Sequence, residues 1–206
     1  MGSSADPPRL VLVTDRHATA GRDLADVVAA ALDAGLPAVQ LREKDLPGRA
    51  LLTLAEQLRV LTARTGALLL VNDRVDVAVA VGADGVHLGG GSLPTEVARR
   101  LLPPGALVGV STHAPAEAAS ATADFVFYGP VYATPSKAAF GAPQGVAGLR
   151  QAAALAHVPV LAIGGVTAKT VPETRAAGAT GVAVIRAILA ADDPALATRE
   201  LLRLLD

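Results

Sequence analysis

The sequence LLLVNDRVDVAVAVGADGVHL, residues 68–88, contains the repeating unit that decides the fold. It begins with an apolar run from Leu68 to Val71, continues with a helix-like segment from Val75 to Val81 and a glycine, Gly82, and ends on a second apolar run from Gly85 to Leu88. Runs that are apolar throughout are typical of strands that are covered on both faces of a parallel sheet. The stretch therefore predicts a strand, a crossover helix and a second parallel strand.

The same pattern recurs along the whole chain. Further strands are predicted at Arg9–Asp15, Ala38–Leu41, Leu107–Val110, Phe125–Tyr128, Val158–Ile163 and Gly181–Ile185. Eight units in 206 residues, about 26 residues each, predict a (β/α)8 TIM barrel. An open doubly wound sheet is the alternative, weakened by the lack of a GxGxxG motif after the first strand. We assign residues 1–8 to a flexible N-terminal tail and residues 9–206 to a single barrel domain.

The composition limits the class of partner. The chain has 18 Lys and Arg against 19 Asp and Glu, so a net charge of -1 argues against binding to nucleic acid or to an anionic membrane. The absence of Cys excludes disulfides, thiolate zinc sites and cysteine nucleophiles. Neither a signal peptide nor an apolar run of about 18 residues is found. We expect a cytoplasmic protein with a small-molecule partner; a homo-oligomer is compatible with the sequence, which does not determine the oligomeric state.

Polar residues follow the predicted strands at their carboxyl ends, where the active site of a parallel barrel lies. Three cations are expected there, Arg42, Lys44 and Lys137, together with the polar side chains of Asn72 and Ser111. Positive charge combined with directional donors suits a phosphate or diphosphate. Asp73 could then hold Mg²⁺ against the diphosphate, since magnesium is usually bound by one or two carboxylates and by phosphate oxygens. The glycine pair Gly164 and Gly165, after the seventh strand, suggests a second anion site.

Each of these residues also has a purely structural interpretation. Arg42-Glu43-Lys44 could be a solvated loop with an exposed ion pair, and Asp73 could be the N-cap of a helix over 74–81. The glycine pair could reflect tight packing between a strand and the following helix. His87 is expected to be a satisfied structural histidine, whereas His113 could be catalytic or could merely begin a helix.

Taken together, the strand-end motifs resemble the thiamine-phosphate synthase family, which also contains the thiazole tautomerases. The resemblance runs from Leu10 to about Ile188, in every unit and in the family's order. It is carried by Gln40-Leu-Arg-Glu-Lys44, Val71-Asn-Asp-Arg-Val-Asp76, Gly85-Val-His-Leu-Gly89, Gly109-Val-Ser-Thr-His113, Gly129-Pro-Val-Tyr-Ala-Thr-Pro-Ser-Lys137 and Ala162-Ile-Gly-Gly165.

The resemblance implies a transferase that joins hydroxymethylpyrimidine diphosphate to thiazole phosphate, with Mg²⁺, and releases diphosphate. Matched by motif, the diphosphate would be held by Arg42, Lys44, Asn72, Ser111 and Lys137. The metal would be held by Asp73, with Ser92 as the second candidate ligand, and the pyrimidine would be contacted by Gln40. The thiazole phosphate would be bound at Gly165 and at the backbone of Ile185 and Arg186. We include Gly164 and Thr134 among the substrate-binding candidates, and we expect Lys137, Arg42 and Ser111 to be catalytic.

Ser92 departs from the synthase pattern. Family synthases usually have a carboxylate at this place as a second metal ligand, and tautomerase-like members tend to have Ser. A hydroxyl is a much weaker Mg²⁺ ligand than a carboxylate. Pro130, by contrast, looks like the synthase version of its loop, because some tautomerases have a catalytic His there. A synthase is therefore favoured, with a thiazole tautomerase or a catalytically silent phosphate-binding barrel as alternatives.

Overall fold

The computed structural model describes residues 7–134 and 142–206. Within these residues, eight strands form a closed barrel in which each strand runs parallel to the next in chain order and β1 pairs with β8. The strands are β1 (Leu10–Val13), β2 (Ala38–Leu41), β3 (Leu68–Asn72), β4 (Gly85–Leu88), β5 (Leu107–Thr112), β6 (Phe125–Tyr128), β7 (Val160–Ile163) and β8 (Gly181–Val184). The predicted (β/α)8 barrel is confirmed, and the pairing of β1 with β8 excludes the open sheet.

Helices follow the strands on the outside of the barrel. They are α1 (Leu24–Asp33), α2 (Gly48–Thr65), α3 (Val75–Val81), α4 (Thr95–Leu101), α5 (Pro115–Ala119), α6 (Gly145–Leu155), α7 (Val171–Ala176), α8 (Arg186–Leu189) and α9 (Pro194–Leu205), with a 3-10 turn at Arg16–Ala18. None of the helices in the described part of the chain has the length and apolarity that crossing a membrane requires.

Some strands are shorter than the apolar runs that predicted them. β1 ends at Val13 because the chain turns at Asp15, whose side chain accepts a hydrogen bond from the backbone N–H of His17 at 3.0 Å. β7 begins at Val160 rather than at residue 158; the preceding Pro159 has no N–H to donate to a ladder. The predicted tail, residues 1–8, falls mainly on residues 1–6, which lie outside the described residues, and it stays a prediction.

The core has two layers, one between the strands and the helices and one inside the barrel. Because side chains alternate between the two faces of a strand, every second residue points into the barrel. The inner layer contains Val11, Val13, Ala38, Leu70, Leu107, Phe125, Phe127, Leu161 and Ala183. On β2, β3 and β5 the inward positions nearer the carboxyl ends are polar: Gln40 follows Ala38, Asn72 follows Leu70, and Ser111 lies two pleats beyond Leu107. On β7 and directly after β8 they are apolar, Ile163 and Ile185. The floor of the barrel mouth is therefore apolar, and its rim is polar on the side of β2, β3 and β5.

Candidate active site

A chain of hydrogen bonds joins the carboxyl ends of β2, β3 and β4. The Gln40 Nε2 donates to Asn72 Oδ1 at 3.1 Å, and Asn72 Nδ2 donates to Asp73 Oδ2 at 2.7 Å. The other carboxylate oxygen of Asp73 accepts from the Ser92 hydroxyl and, at 3.2 Å, from the backbone N–H of Gly89. The structure thus brings together four of the residues that the sequence placed at three separate strand ends.

Asp73 has a left-handed backbone, with φ of 60°, which is uncommon for a residue other than glycine. Helix α3 begins at Val75 with Arg74 as its cap residue, and the Asp73 side chain turns toward the loop after β4. The interpretation of Asp73 as the N-cap of a helix over 74–81 is therefore wrong. A backbone held in this sparsely populated region is a common feature of functional sites.

The Asp73 carboxylate is ionised at neutral pH. Partial burial of the group opposes its ionisation. The hydrogen bonds from Ser92, Gly89 and Asn72, together with the positive charge of Lys44, outweigh that effect and lower the pKa of Asp73 below its usual range. Asp73 therefore offers a negative charge to the rim at physiological pH.

Arg42 and Lys44 both lie above the barrel mouth, and neither side chain has a hydrogen bond or an ion pair among the described residues. Lys44 lines a pocket of about 260 Å³ with Asn72, Asp73 and Arg74. Burial is the main cause of the lowered pKa of His87 in the barrel interior, and the charge of Arg42 adds a smaller lowering. The exposed ion pair considered for Arg42-Glu43-Lys44 is wrong, because Glu43 is buried and pairs with Arg16 at 3.0 Å.

Ser111 lies near the end of β5 with its side chain on the inward face. Lys137 lies outside the described residues, and Thr134 is the last described residue before it. Both flanks of that loop are held at the carboxyl rim: Tyr132 N donates to Gly164 O at 2.9 Å, and Gln144 N donates to Pro130 O at 2.8 Å. The described residues on either side of Lys137 therefore lie at this rim, and the role of Lys137 stays a prediction.

Gly164 and Gly165 have positive φ values of 92° and 67°. A Cβ on Gly164 would lie 2.5 Å from Pro130 Cβ, and one on Gly165 would lie 2.7 Å from Tyr132 Cβ. The close packing at this pair is therefore with the loop after β6, and the sequence-based alternative named the wrong partner, a following helix. Ile185 and the exposed Arg186 follow β8, which pairs with β7, so these four residues are neighbours on the rim.

The sequence interpretation missed that the ring of His87 is buried without hydrogen-bond partners of normal geometry among the described residues. Its ring is buried, with its centroid 4.2 Å from that of Phe127, and neither nitrogen has a partner of normal geometry among the described residues. Burial lowers the pKa of His87 to about 3, although Asp73 and a backbone group of Val110 oppose the shift. The expected satisfied histidine is instead neutral and unsatisfied. Gln40 Oε1 is also buried without a partner, so two polar groups at the mouth retain hydrogen-bonding capacity.

His113 follows β5, and its ring is tied to the loop after β6. The Nδ1 atom lies 2.5 Å from Gly129 O, and the His113 backbone N–H donates to Glu117 in helix α5 at 2.6 Å. The first contact joins the loop after β5 to the loop after β6, and the second holds His113 to the helix that follows it. Helix α5 begins at Pro115 with Ala114 as its cap residue, so His113 does not begin the helix, and a catalytic role for His113 stays a prediction.

The donor set fits a magnesium ion that arrives with a diphosphate. Among the described residues, no group of three or more His, Cys, Asp or Glu side chains is assembled as a metal site. Asp73 offers one ionised carboxylate, the Ser92 hydroxyl contacts that carboxylate, and Lys44 lines the same pocket. Magnesium commonly binds through one carboxylate and substrate phosphates, so the phosphates, rather than protein side chains, would neutralise most of the charge of the ion here.

Comparison with known proteins agrees with this arrangement. Residues 10–188 match the family model described as thiamine monophosphate synthase. A Geobacter sulfurreducens protein that is provisionally named a thiamine-phosphate synthase is 55% identical over 199 residues, which cover 95% of this chain and 93% of that protein. The thiamine-phosphate synthase of Methanoculleus marisnigri is 46% identical over 195 residues, covering 93% and 92%.

A solved structure gives the same result in three dimensions. The thiamine phosphate pyrophosphorylase from Pyrococcus furiosus superposes with a TM-score of 0.87 and 36% sequence identity, covering 96% of this chain and 95% of that one. A 3-hexulose-6-phosphate synthase, 20% identical with a TM-score of 0.66, shares the fold alone. On the family match, the identity of these relatives and the polar rim, the chain belongs to the thiamine monophosphate synthase family.

Proposed function

We propose that this protein is a thiamine-phosphate synthase in which Arg42, Lys44 and Asp73 bind the diphosphate of hydroxymethylpyrimidine diphosphate and its magnesium. The observation that carries the proposal is that Lys44, a cation without a partner among the described residues, lines one pocket of about 260 Å³ with the ionised carboxylate of Asp73, and that a second such cation, Arg42, lies two residues away in the same loop. Cations without a protein partner at a barrel mouth are suited to an anionic ligand.

The reaction breaks the bond between the pyrimidine methylene carbon and the diphosphate oxygen. The electron pair leaves with the diphosphate, and Arg42 and Lys44 stabilise the negative charge that develops on it. Asn72, Ser111 and Lys137 would supply further donors. Magnesium, when bound, neutralises diphosphate oxygens and so makes diphosphate a better leaving group. The thiazole nitrogen then supplies the electron pair that forms the new carbon–nitrogen bond.

Gln40 and His87 are suited to bind the pyrimidine ring at the floor of the mouth. The two side chains retain buried polar atoms without partners, and the Phe125 and Phe127 rings beside His87 give the floor an apolar surface. Because the pKa of His87 is about 3, its ring is neutral at physiological pH. A neutral ring does not oppose the positive charge that develops on the pyrimidine methylene carbon.

The rim between β7 and β8 would bind the phosphate of the thiazole substrate. Gly164 and Gly165 are partly exposed at this rim although the loop after β6 packs against the positions where a Cβ would lie, and Arg186 adds an exposed cation beside them. In (β/α)8 barrels, phosphate is frequently bound by the loops after the seventh and eighth strands.

One observation favours a second candidate, a thiazole tautomerase. Ser92 contacts the Asp73 carboxylate where a synthase would be expected to have a second carboxylate. A tautomerase moves a proton on thiazole carboxylate phosphate, and it needs the phosphate site but no leaving group. Such an enzyme would not depend on a metal at Asp73.

Two assays on the purified protein separate the candidates. Thiamine phosphate formation is measured with both synthase substrates, and tautomerisation is measured with the thiazole tautomer alone, each with Mg²⁺ and with EDTA. We expect thiamine phosphate with Mg²⁺ and none with EDTA. Metal-independent tautomerisation without thiamine phosphate at any magnesium concentration would establish the tautomerase, and activity in neither assay would leave a phosphate-binding barrel. Small phosphorylated partners are expected in either enzyme, and a cytoplasmic location is proposed on the same grounds.

A further inference from the structure

Arg16, in the turn after β1, binds both acidic residues of the loop after β2. Its guanidinium donates to Asp45 through two hydrogen bonds, Nη1 to Oδ1 at 2.6 Å and Nη2 to Oδ2 at 2.5 Å. The Nη1 atom also donates to Glu43 Oε2 at 3.0 Å, and the backbone N–H of Arg16 lies 3.1 and 3.2 Å from the two Glu43 oxygens. We call Arg16, Glu43 and Asp45 the Arg16 cluster.

The charges of the loop after β2 alternate along the sequence. The Arg16 cluster binds the two negative charges and leaves the two positive charges unpaired among the described residues. Residues 42 to 45 read Arg, Glu, Lys, Asp. Both acids are bound by Arg16, whereas Arg42 and Lys44 have no partner among the described residues. Adjacent opposite charges in a loop could otherwise neutralise one another. Arg16 therefore leaves two positive charges over the mouth in a four-residue segment that has no net charge of its own.

Glu43 depends on this partner because its side chain is only 2% exposed. A buried carboxylate needs hydrogen bonds and an opposite charge, and Arg16 supplies both. The backbone of the loop is fastened beside the same turn: Arg42 N donates to the buried Thr14 hydroxyl at 2.8 Å, and Thr14 N donates to Gln40 O at 2.9 Å. Because the loop backbone is held, the partner of the Glu43 side chain decides whether the charges of Arg42 and Lys44 remain unpaired at the rim.

We propose that Arg16 is a positioning residue for the diphosphate site: by holding Glu43 and Asp45, it keeps Arg42 and Lys44 free to bind the substrate anion. The proposal rests on the proposed function, which assigns the diphosphate to those two cations. Arg16 acts through the β2 loop and need not touch the substrate. If the Arg16 side chain is removed, among the described residues Asp45 keeps only its 3.3 Å side-chain contact with His17 Nε2, and Glu43 keeps only the backbone N–H of residue 16. Both acids then compete with the diphosphate for Arg42 and Lys44.

Binding of inorganic diphosphate, measured by titration calorimetry with Mg²⁺ present, tests the proposal. We expect Arg16→Met to weaken binding by about tenfold to a hundredfold, because each recaptured cation removes a charge-assisted hydrogen bond from the anion. Arg16→Lys should restore part of the affinity. The triple variant Arg16→Met, Glu43→Gln, Asp45→Asn should bind nearly as well as wild type, because the competing acids are gone. The KM for thiazole phosphate, whose proposed site follows β7 and β8, should not change, because among the described residues the Arg16 side chain binds only the loop after β2.

The matched control is Arg59→Met. Arg59 Nη1 donates to Asp84 Oδ2 at 2.7 Å, and the same oxygen accepts from the backbone N–H of Leu69, so this ion pair resembles that of Arg16 with Glu43. It lies at the amino end of β4, away from the rim. This variant loses a similar ion pair and should bind diphosphate like wild type. The melting curve of every variant is recorded, and the triple variant remains informative if Arg16→Met does not fold.

The outcomes distinguish the positioning role from the site itself. Wild-type affinity in Arg16→Met, or a folded triple variant as weak as Arg16→Met, would overturn the positioning role. Wild-type protein that does not bind diphosphate, or Arg42→Met that binds it normally, would instead refute the assignment of the diphosphate site and hence the proposed function.

Discussion

Ser92→Asp tests how the site handles a metal, because it restores the carboxylate that the synthase pattern usually has. The Ser92 hydroxyl now donates to Asp73 Oδ1, and this bond helps to lower the pKa of Asp73. The substitution removes that donor and brings a second negative charge to the same contact. Without metal, the variant should therefore be less stable than wild type, and with Mg²⁺ it should recover.

The size of the effect follows from the geometry. Two unit charges about 4 Å apart at an effective dielectric constant of about 20 repel by about 4 kcal/mol. Loss of a hydrogen bond to a charged group adds about 1.5 to 3 kcal/mol. Both residues are partly exposed, so solvent screening should reduce the total, and we expect a loss of about 2 to 4 kcal/mol in the free energy of unfolding. A metal at a hundred times its Kd would return about 2.7 kcal/mol.

Urea unfolding at pH 7.5, in EDTA and in Mg²⁺, measures this difference. Ser92→Asn is the matched control because it has nearly the same size as the aspartate variant without its charge. Synthase activity is titrated with Mg²⁺ in parallel, and Ser92→Asp should need about 10-fold to 100-fold less metal, by analogy with the cost of disturbing a metal site's supporting residues. Equal stability of the two variants in EDTA, with no selective gain from Mg²⁺, would refute this account of the site.

Three further predictions follow from the rim and the barrel floor. Gly165→Val should raise the KM for thiazole phosphate and lower the free energy of unfolding by about 1 to 3 kcal/mol, because the new Cβ would lie 2.7 Å from Tyr132 Cβ and φ is positive. An unchanged KM and melting temperature would contradict this. Lys137→Ala should lower synthase turnover thirtyfold to a thousandfold, about 2 to 4 kcal/mol of barrier, and near-normal turnover in a folded variant would exclude its role at the diphosphate. His87 has a pKa of about 3 in the folded protein against about 6.5 when unfolded, so the unfolded chain binds the extra proton and stability is lost as the pH falls below 6.5. Between pH 7.5 and 5.0, wild type should lose about 2 kcal/mol more unfolding free energy than His87→Gln, and equal losses would show that the ring is solvated or paired.

The strand positions and the carboxyl-end location of the site could be predicted from the sequence alone. An apolar run such as Leu68 to Val71 reports that both faces of a strand are buried, and this property is local to the run. Parallel strands place their carboxyl ends at one rim, so residues such as Asn72 and Asp73 could be assigned to that rim before any distance was known.

Only the tertiary structure decided which polar groups pair. Glu43 binds Arg16, 27 residues away, rather than its neighbours Arg42 and Lys44. Asp73 is bound by Ser92 rather than capping the next helix, and His87 is buried without a partner. Which groups pair depends on the register in which the barrel closes and on whether side chains are long enough to contact the loops of neighbouring units. The apolar pattern of a sequence records how deeply each residue is buried, but it does not record which loops barrel closure brings side by side.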